Sequence, residues 1–391
     1  MLSNSRIYLD YNSTTPVDAD VLETMLPWFI KNFGNAASFS HQSGRLAAEA
    51  VESARDSLAA FIGASPSEII FTSGSTESIN LAIKGVAEAY HSKGNHIITW
   101  QTEHRAVLDT CKNLEERGFR LTYLPVDREG MPDLNELEKT ISGSTVLVAM
   151  MMVNNETGVI MPVKEAATIA HTHGALFFTD ATQAAGKMQI DVNDCGADLM
   201  AVSAHKMYGP KGTGLLYVRR KNPRVQLIPL MHGGGHEKSL RPGTMNVPGI
   251  IGMQKAAEIS KIRYWDDSSS ISKMRTALEQ MLTDDGFGFI NGNTRNRIYN
   301  TTNIAFPGIK ASTLISRLPE IELSTGSACS SAIPEPSHVL KAMGCSDELA
   351  YASVRLSLGR WNTMDEILSA GEKIRSAVDQ IRKENKVSIT I

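Results

Sequence analysis

Residues 199–214 read LMAVSAHKMYGPKGTG, and the fold turns on how they are read. The apolar run Leu199, Met200, Ala201, Val202 has the length and composition of a buried strand. It ends on Ser203, His205 and Lys206, ahead of a glycine-rich turn. An open α/β sheet binds ligands beyond the carboxyl ends of its strands, so this one would carry a hydroxyl, an imidazole and an amine into a binding crevice. An amine held there loses part of its hydration, its pKa falls, and it becomes a nucleophile toward aldehydes. Taken alone, the stretch reads equally well as a surface lysine before a turn.

Outward from it the chain alternates. Strands are predicted at Glu68–Thr72, His96–Trp100, Leu121–Val126, Thr145–Val153, Ala175–Thr179, Leu199–Ser203 and Gly214–Val218, with helical patterns between most of them. That rhythm specifies an α/β fold with a mostly parallel seven-stranded sheet, helices on both faces. Upstream, IYLDYNSTTPVD reads as an extended segment closing in a polar turn. Helices are expected from Ala19 to about Phe33 and from about Arg45, around a loop with the sequence FGNAASFSHQSG.

Past Val247 the elements shorten. A helical run from Gly249 to about Leu282 is expected to break at Asp266–Ser270. A strand at Asn300–Ala305, a helix at Ala311–Leu318, a strand at Val354–Leu358 and a helix from Met364 to about Arg382 follow. The tail KENKVSITI is expected to fray. The division expected is a large domain, 1–254, and a smaller C-terminal α/β domain, 255–391, against which the N-terminal segment can pack.

Composition narrows the function. With 391 residues, 42% hydrophobic, a net charge of -3 and no Lys/Arg block, the chain suits neither nucleic acid nor a membrane surface as its main partner. The apolar run Val146–Val153 is too short to cross a bilayer, and Met1–Asn12 lacks the apolar centre of a secretion signal, so a cytosolic protein is expected. Four cysteines without a C-x-x-C pair form neither a disulfide framework nor a zinc motif. His232 and His236 flank three glycines, which disfavour the helix a paired-histidine metal site needs, and no metal is expected.

Four clusters carry chemistry. In FTSGSTES (Phe71–Ser78) a strand runs into Gly74, Ser75 and Thr76 at a helix start, where unpaired N–H groups and the helix dipole suit a phosphate, or simply an ordinary cap. Asp180 and Lys206 end two predicted strands. A carboxylate beside a pyridine nitrogen keeps it protonated, and a protonated ring is the electron sink of pyridoxal phosphate chemistry, so Lys206 reads as its Schiff-base lysine. Gln183 is within reach of the same ligand. His104, at a helix start in TEHRAVLDT, can stack on a planar ring and move protons near neutral pH, or bond locally, while Cys111 falls on the apolar face. Cys329, in STGSACSSA (Ser324–Ala332), stands among Gly, Ser and Ala, as in a mobile, solvent-reached loop. Its thiol would be a few per cent thiolate at neutral pH, yet strongly nucleophilic. Arg355, in SVRLSLGR, is placed to clamp a carboxylate or to serve a structural ion pair.

Together these residues resemble the cysteine desulfurases of the NifS/IscS group, class-V aminotransferase-like pyridoxal-phosphate enzymes of fold type I. The resemblance covers nearly the whole chain: FGNAAS, FTSGSTES, TEH, VNNETG, DATQ, SAHKMYGPKG, HGGGHE, R-x-G-T, GSAC and EPSHVL occur in the family's order. It implies that Lys206 carries pyridoxal 5'-phosphate and that Cys329 attacks the sulfur of L-cysteine, giving alanine and a persulfide for an acceptor protein in iron–sulfur assembly or another thiolation pathway. By the same resemblance His104 stacks on the ring and relays protons, Asp180 pairs with the ring nitrogen, and Gln183 and Asn155 bond the ring's oxygen side. Ser75, Thr76, Ser203 and His205 hold the phosphate, with Thr244 reaching the site of a second subunit in a homodimer. Asn35 and Arg355 hold the substrate carboxylate. Pro242 departs from the small residue usual in R-x-G-T, and the chain ends soon after its last helix, where members serving the housekeeping iron–sulfur scaffold have a longer tail. Selenocysteine lyase, or a non-catalytic sulfur-carrier or scaffold subunit of the same fold, are the alternatives.

Overall fold

A computed structural model describes residues 6–325 and 335–389, the last four of these by their backbone alone. The first strand, β1 (Ile7–Tyr8), leads through a turn into helices α1 (Ala19–Ile30) and α2 (Gln42–Phe61). Strands and helices then alternate as β2 (Ile69–Thr72), α3 (Ser75–Ala89), β3 (His96–Trp100), α4 (Arg105–Glu115), β4 (Arg120–Leu124), α5 (Leu134–Thr140), β5 (Thr145–Ala149) and α6 (Val163–Thr172). Three more strands, β6 (Leu176–Asp180), β7 (Leu199–Ser203) and β8 (Gly214–Val218), complete a seven-stranded sheet in the order β2-β8-β7-β6-β5-β3-β4. Only β8 runs antiparallel to its neighbours.

Strict alternation builds the core. Ile98, Val148, Phe177, Met200 and Leu215 face one side, against α2, α6 and the helix that follows β8. Their chain neighbours Ile97, Leu147, Phe178, Leu199 and Leu216 face the other, against α3 and α4. Every residue of β2, β3 and β5 through β8 is buried, as a sheet covered on both faces requires. The edge strand β4 is the exception, half-exposed along most of its length.

From β8 the chain enters α7 (Val247–Thr283), then β9 (Phe289–Ile290), β10 (Thr301–Ala305), α8 (Ala311–Arg317), β11 (Ile321–Glu322), α9 (His338–Ala342), α10 (Asp347–Tyr351), β12 (Ser353–Ser357) and α11 (Met364–Ile389). Strands β12, β10 and β9 form an antiparallel sheet, and β1 pairs with β11 in parallel. A second core gathers here from Leu278, Ile304, Phe306, Leu314, Val354, Leu356 and Val378, together with Ile7 and Leu9 of the N-terminal strand.

Helix α7 belongs to both cores: Val247–Ala257 pack in the first and Ile271–Leu282 in the second, so residue 254 lies inside a continuous helix. The break expected at Asp266–Ser270 does not occur. Ser268, Ser270 and Ser272 return their hydroxyls to carbonyls of their own helix. Asp267 is buried against Arg360, 2.9 Å away and distant in sequence. Local polarity signals a break; tertiary pairing overrides it. The backbone of α11 is described as far as Ile389, within the tail KENKVSITI. Strand β5 ends at Ala149, short of the apolar run's end, although Met150 and Met152 still donate their N–H groups to Phe178 and Asp180 of β6. No described helix is long and apolar enough to cross a membrane.

Leu278, fully buried on α7 in the second core, tests this packing. Leu278→Ala is expected to lower the unfolding free energy by about 2–5 kcal/mol in urea titration; a loss under about 1 kcal/mol would contradict the buried placement.

Candidate active site

Strand β7 ends in a short 3₁₀ turn, Ala204–Lys206. There the Lys206 amine donates to two backbone carbonyls of the N-terminal turn, Asn12 O at 2.6 Å and Ser13 O at 2.5 Å. The same turn grips His205, whose carbonyl accepts from Thr15 N–H at 3.0 Å and from the Thr15 hydroxyl at 3.1 Å. Its Nδ1 lies 3.1 Å from the Thr14 hydroxyl. Burial first, then Lys206, Lys211 and Lys187, push the His205 pKa down to about 4, so its ring is neutral at physiological pH.

Strand β6 ends on Asp180, buried, with Oδ1 accepting from the Thr182 N–H at 2.9 Å and from the Thr182 hydroxyl. Oδ2 has no hydrogen bond among the described residues. The Thr182 hydroxyl also lies 2.7 Å from Ser75 Oγ, tying β6 to the start of α3. Gln183 donates from Nε2 to Asn12 O at 2.9 Å and accepts at Oε1 from Lys187 at 2.8 Å.

The start of α3 leaves its first N–H groups without a side-chain cap. Gly74, with φ +149, is its N-cap, and no side chain caps the helix. Strand β8 runs so close that a Cβ on Gly214 would lie 2.6 Å from Gly74 Cα. That contact fixes the helix start beside the end of β7.

His104 caps α4: its Nδ1 accepts from Ala106 N–H at 3.1 Å. An acceptor at Nδ1 puts the proton of the neutral ring on Nε2. Burial lowers its pKa; Asp180 opposes this, while Lys206 and His338 add to it.

From β12, buried Arg355 donates to Asp10 Oδ1 and Ser13 Oγ, both at 2.7 Å, and to Asn155 O at 3.0 Å. Two buried atoms beside it lack partners among the described residues: Arg355 Nε and Asn155 Oδ1.

These groups surround one cavity of about 690 Å³, a size suited to a small cofactor with its substrate. Ser75, Thr76, His104, Asn155, Asp180, Gln183, Ser203, His205, Lys206 and Arg355 all line it. Asn35 and Thr244 do not: both are exposed in this chain, and Asn35 Oδ1 accepts from Ala37 N–H at 3.0 Å. Cys329 lies outside the described residues, although Ser324 before it and Glu335 after it line the cavity.

Some participants escaped the sequence reading. The carbonyls of Asn12 and Ser13 act through backbone atoms that no motif displays. Buried Glu156, whose pKa is raised mainly by burial, accepts from the Ser337 hydroxyl at 2.5 Å and so anchors the EPSHVL stretch beside Asn155. Only their place inside VNNETG and EPSHVL signalled either residue.

Residues 7–369 match the family described as Aminotransferase class-V. A cysteine desulfurase IscS of Anaeromyxobacter sp. (strain Fw109-5) is 47% identical over 384 residues, 98% of this chain and 94% of that protein. A cysteine desulfurase IscS of Neisseria gonorrhoeae is 46% identical over 98% of this chain and 95% of its own. Among solved structures, a NifS-like protein aligns with a TM-score of 0.89 at 39% identity, covering 96% of this chain and 99% of that one. SspA in complex with cysteine aligns with a TM-score of 0.81 at 37% identity over 91% and 99% of the two chains.

The neutral imidazoles give the fold a pH signature. His205 and the buried His96 both hold pKa values near about 4, below their ordinary 6.5. Between those values the unfolded chain binds protons that the folded chain refuses, so stability falls as pH falls through that window. His205→Gln is expected to flatten the acid side of the stability profile in part, leaving the contribution of His96. Urea midpoints between pH 7 and 4.5 that keep the wild-type slope would exclude this assignment.

Proposed function

The chain belongs to the class-V aminotransferase family and is a cysteine desulfurase; from that premise we propose that it uses pyridoxal phosphate on Lys206 to move the sulfur of L-cysteine to Cys329. One observation carries the reading: an amine, a carboxylate with an unengaged oxygen and an uncapped helix start line a single cavity. Those are the partners that the aldehyde, the ring nitrogen and the phosphate of one molecule require.

The residues fit that group as they stand. Ser75, Thr76, Ser203 and His205 would hold the phosphate at the α3 start, Asp180 Oδ2 would keep the ring nitrogen protonated, and Gln183 would bond the ring's hydroxyl oxygen. His104 would stack on the ring. When bound, pyridoxal phosphate supplies a carbonyl that condenses with amines and a ring that stores the electron pair released at the substrate's α-carbon.

The chain's own groups do the rest. The carbonyls of Asn12 and Ser13 accept the hydrogens of Lys206 and hold its nitrogen at the cavity wall, where it takes and returns the α-proton. His104 keeps its proton on Nε2, because Nδ1 is engaged with Ala106, and so serves as a donor. Arg355 and the side-chain NH₂ of Asn155, both residues of the cavity wall, would orient the substrate carboxylate. The Cys329 thiolate then forms a new S–S bond as the substrate's Cβ–S bond breaks, leaving a persulfide on Cys329 and releasing alanine.

Cys329 stands five residues after Ser324 and six before Glu335, both on the cavity wall, which is a short tether for such an attack. The persulfide passes to an acceptor protein, in iron–sulfur assembly or another thiolation pathway. The exposure of Thr244 supports a homodimer in which it serves the other copy's site, whereas Asn35, off the cavity of this chain, does not reach a substrate carboxylate there. The free thiols of Cys111, Cys195 and Cys345 support a cytosolic setting.

The purified protein is expected to absorb visible light, and borohydride to fix the cofactor on Lys206. Lys206→Ala should abolish both signals. Cys329→Ser should keep the colour and bind cysteine, yet release no sulfide under reductant. A normal desulfuration rate in Cys329→Ser would overturn the choice of nucleophile.

A further inference from the structure

Lys187 is buried, 7% exposed, in the turn beyond β6, and it does not line the cavity. Its amine has one hydrogen-bond partner among the described residues, Gln183 Oε1 at 2.8 Å. No carboxylate pairs with it there. The charged groups that act on it are two more cations, Lys206 and Arg355. A buried amine without a counter-ion is costly, and burial together with these neighbours brings its pKa down to about 7. Packing alone would be served better by an apolar side chain of the same length.

What the amine does is fix an amide. With Oε1 taken by Lys187, Gln183 must turn its NH₂ group toward Asn12 O, 2.9 Å away. A flipped amide would set oxygen against oxygen at Asn12 and hydrogens against hydrogens at Lys187. Asn12 O is also the acceptor of the Lys206 amine at 2.6 Å, so a chain of three hydrogen bonds joins the two lysines. The bond from Lys187 to Oε1 polarises the Gln183 amide, so a cation there strengthens its N–H donor.

We propose that Lys187 is a positioning residue for the cofactor: through Gln183 it presents an oriented, polarised N–H donor to the oxygen side of the bound ring. This rests on the pyridoxal-phosphate reading above. The like-charged pair also couples the two lysines.

The test is the pH titration of the visible absorbance of purified holoenzyme. A donor and a cation on the ring's oxygen side favour the deprotonated form. Lys187→Met should therefore raise the pH midpoint by about one unit, a tenfold change in proton affinity. Lys187→Arg, which keeps charge and donor, should restore the midpoint most of the way. In a Gln183→Met background the shift caused by Lys187→Met should vanish. An unmoved midpoint in Lys187→Met, or the same shift without Gln183, overturns the proposal. Should Lys187→Met fail to fold, Lys187→Gln must shift the midpoint in the same direction, and no shift there overturns it equally. A wild-type protein with neither visible band nor borohydride-fixed Lys206 would instead remove the cofactor reading itself.

Discussion

Asn12 uses every polar atom it has. Its N–H donates to Ser357 Oγ at 2.9 Å, and its side-chain NH₂ to Thr301 Oγ1 at 2.9 Å and Asn155 O at 3.2 Å. Its Oδ1 accepts from Asn300, and its carbonyl from both Lys206 and Gln183. One buried residue of the N-terminal turn therefore ties the ends of β6 and β7 to β10 and β12. Each bond excludes water from a polar atom that burial would otherwise leave unsatisfied, so the set forms together or not at all. The position of the Lys206 amine follows from this junction more than from the strand that carries it.

The junction also explains the charge balance of the cavity. Lys206 and Arg355 converge on it with Lys187 behind them, and Arg355 pairs with Asp10 at 2.7 Å. The site relieves itself by keeping its imidazoles neutral: His205 through burial and neighbouring lysines, His104 through burial and the cap that engages its Nδ1. Lys206 and Arg355 share that cavity with an uncapped helix start, whose N–H groups favour an anion. Asp180 is the counterweight at the opposite chemical end, where a protonated ring nitrogen needs a negative partner.

Much of this was legible because polar residues interrupt apolar runs. Asp180 and Lys206 announce themselves by ending otherwise hydrophobic strands, and β3, β7 and β8 fall where alternation and turn residues placed them. What escaped was non-local. The polar stretch Asp266–Ser270 reads as a break because its stabilising partner, Arg360, lies far along the chain. Nothing near Lys187 in the sequence says that it is buried. Backbone carbonyls leave no trace at all, so the acceptors of the Lys206 amine are invisible until the fold brings them there.

The cavity takes its walls from two separate cores, which places a constraint on how the parts are joined. Lys206 and Asp180 stand on the large sheet, while Arg355 and Ser324 belong to the smaller one. Among the connections that hold those halves in register are the unbroken helix α7, the Asn12 junction, and Arg360, which reaches both Asp18 at 2.8 Å and Asp267 at 2.9 Å while stacking on Tyr208. Tyr208 follows Lys206 by two residues, and its hydroxyl accepts from Arg360 N–H at 2.8 Å. The turn that carries the amine is therefore braced from the small core as well as from its own strand. A site whose cofactor and substrate groups come from different cores needs such bracing, because a displacement of about 1 Å between them would already cost most of its catalytic alignment.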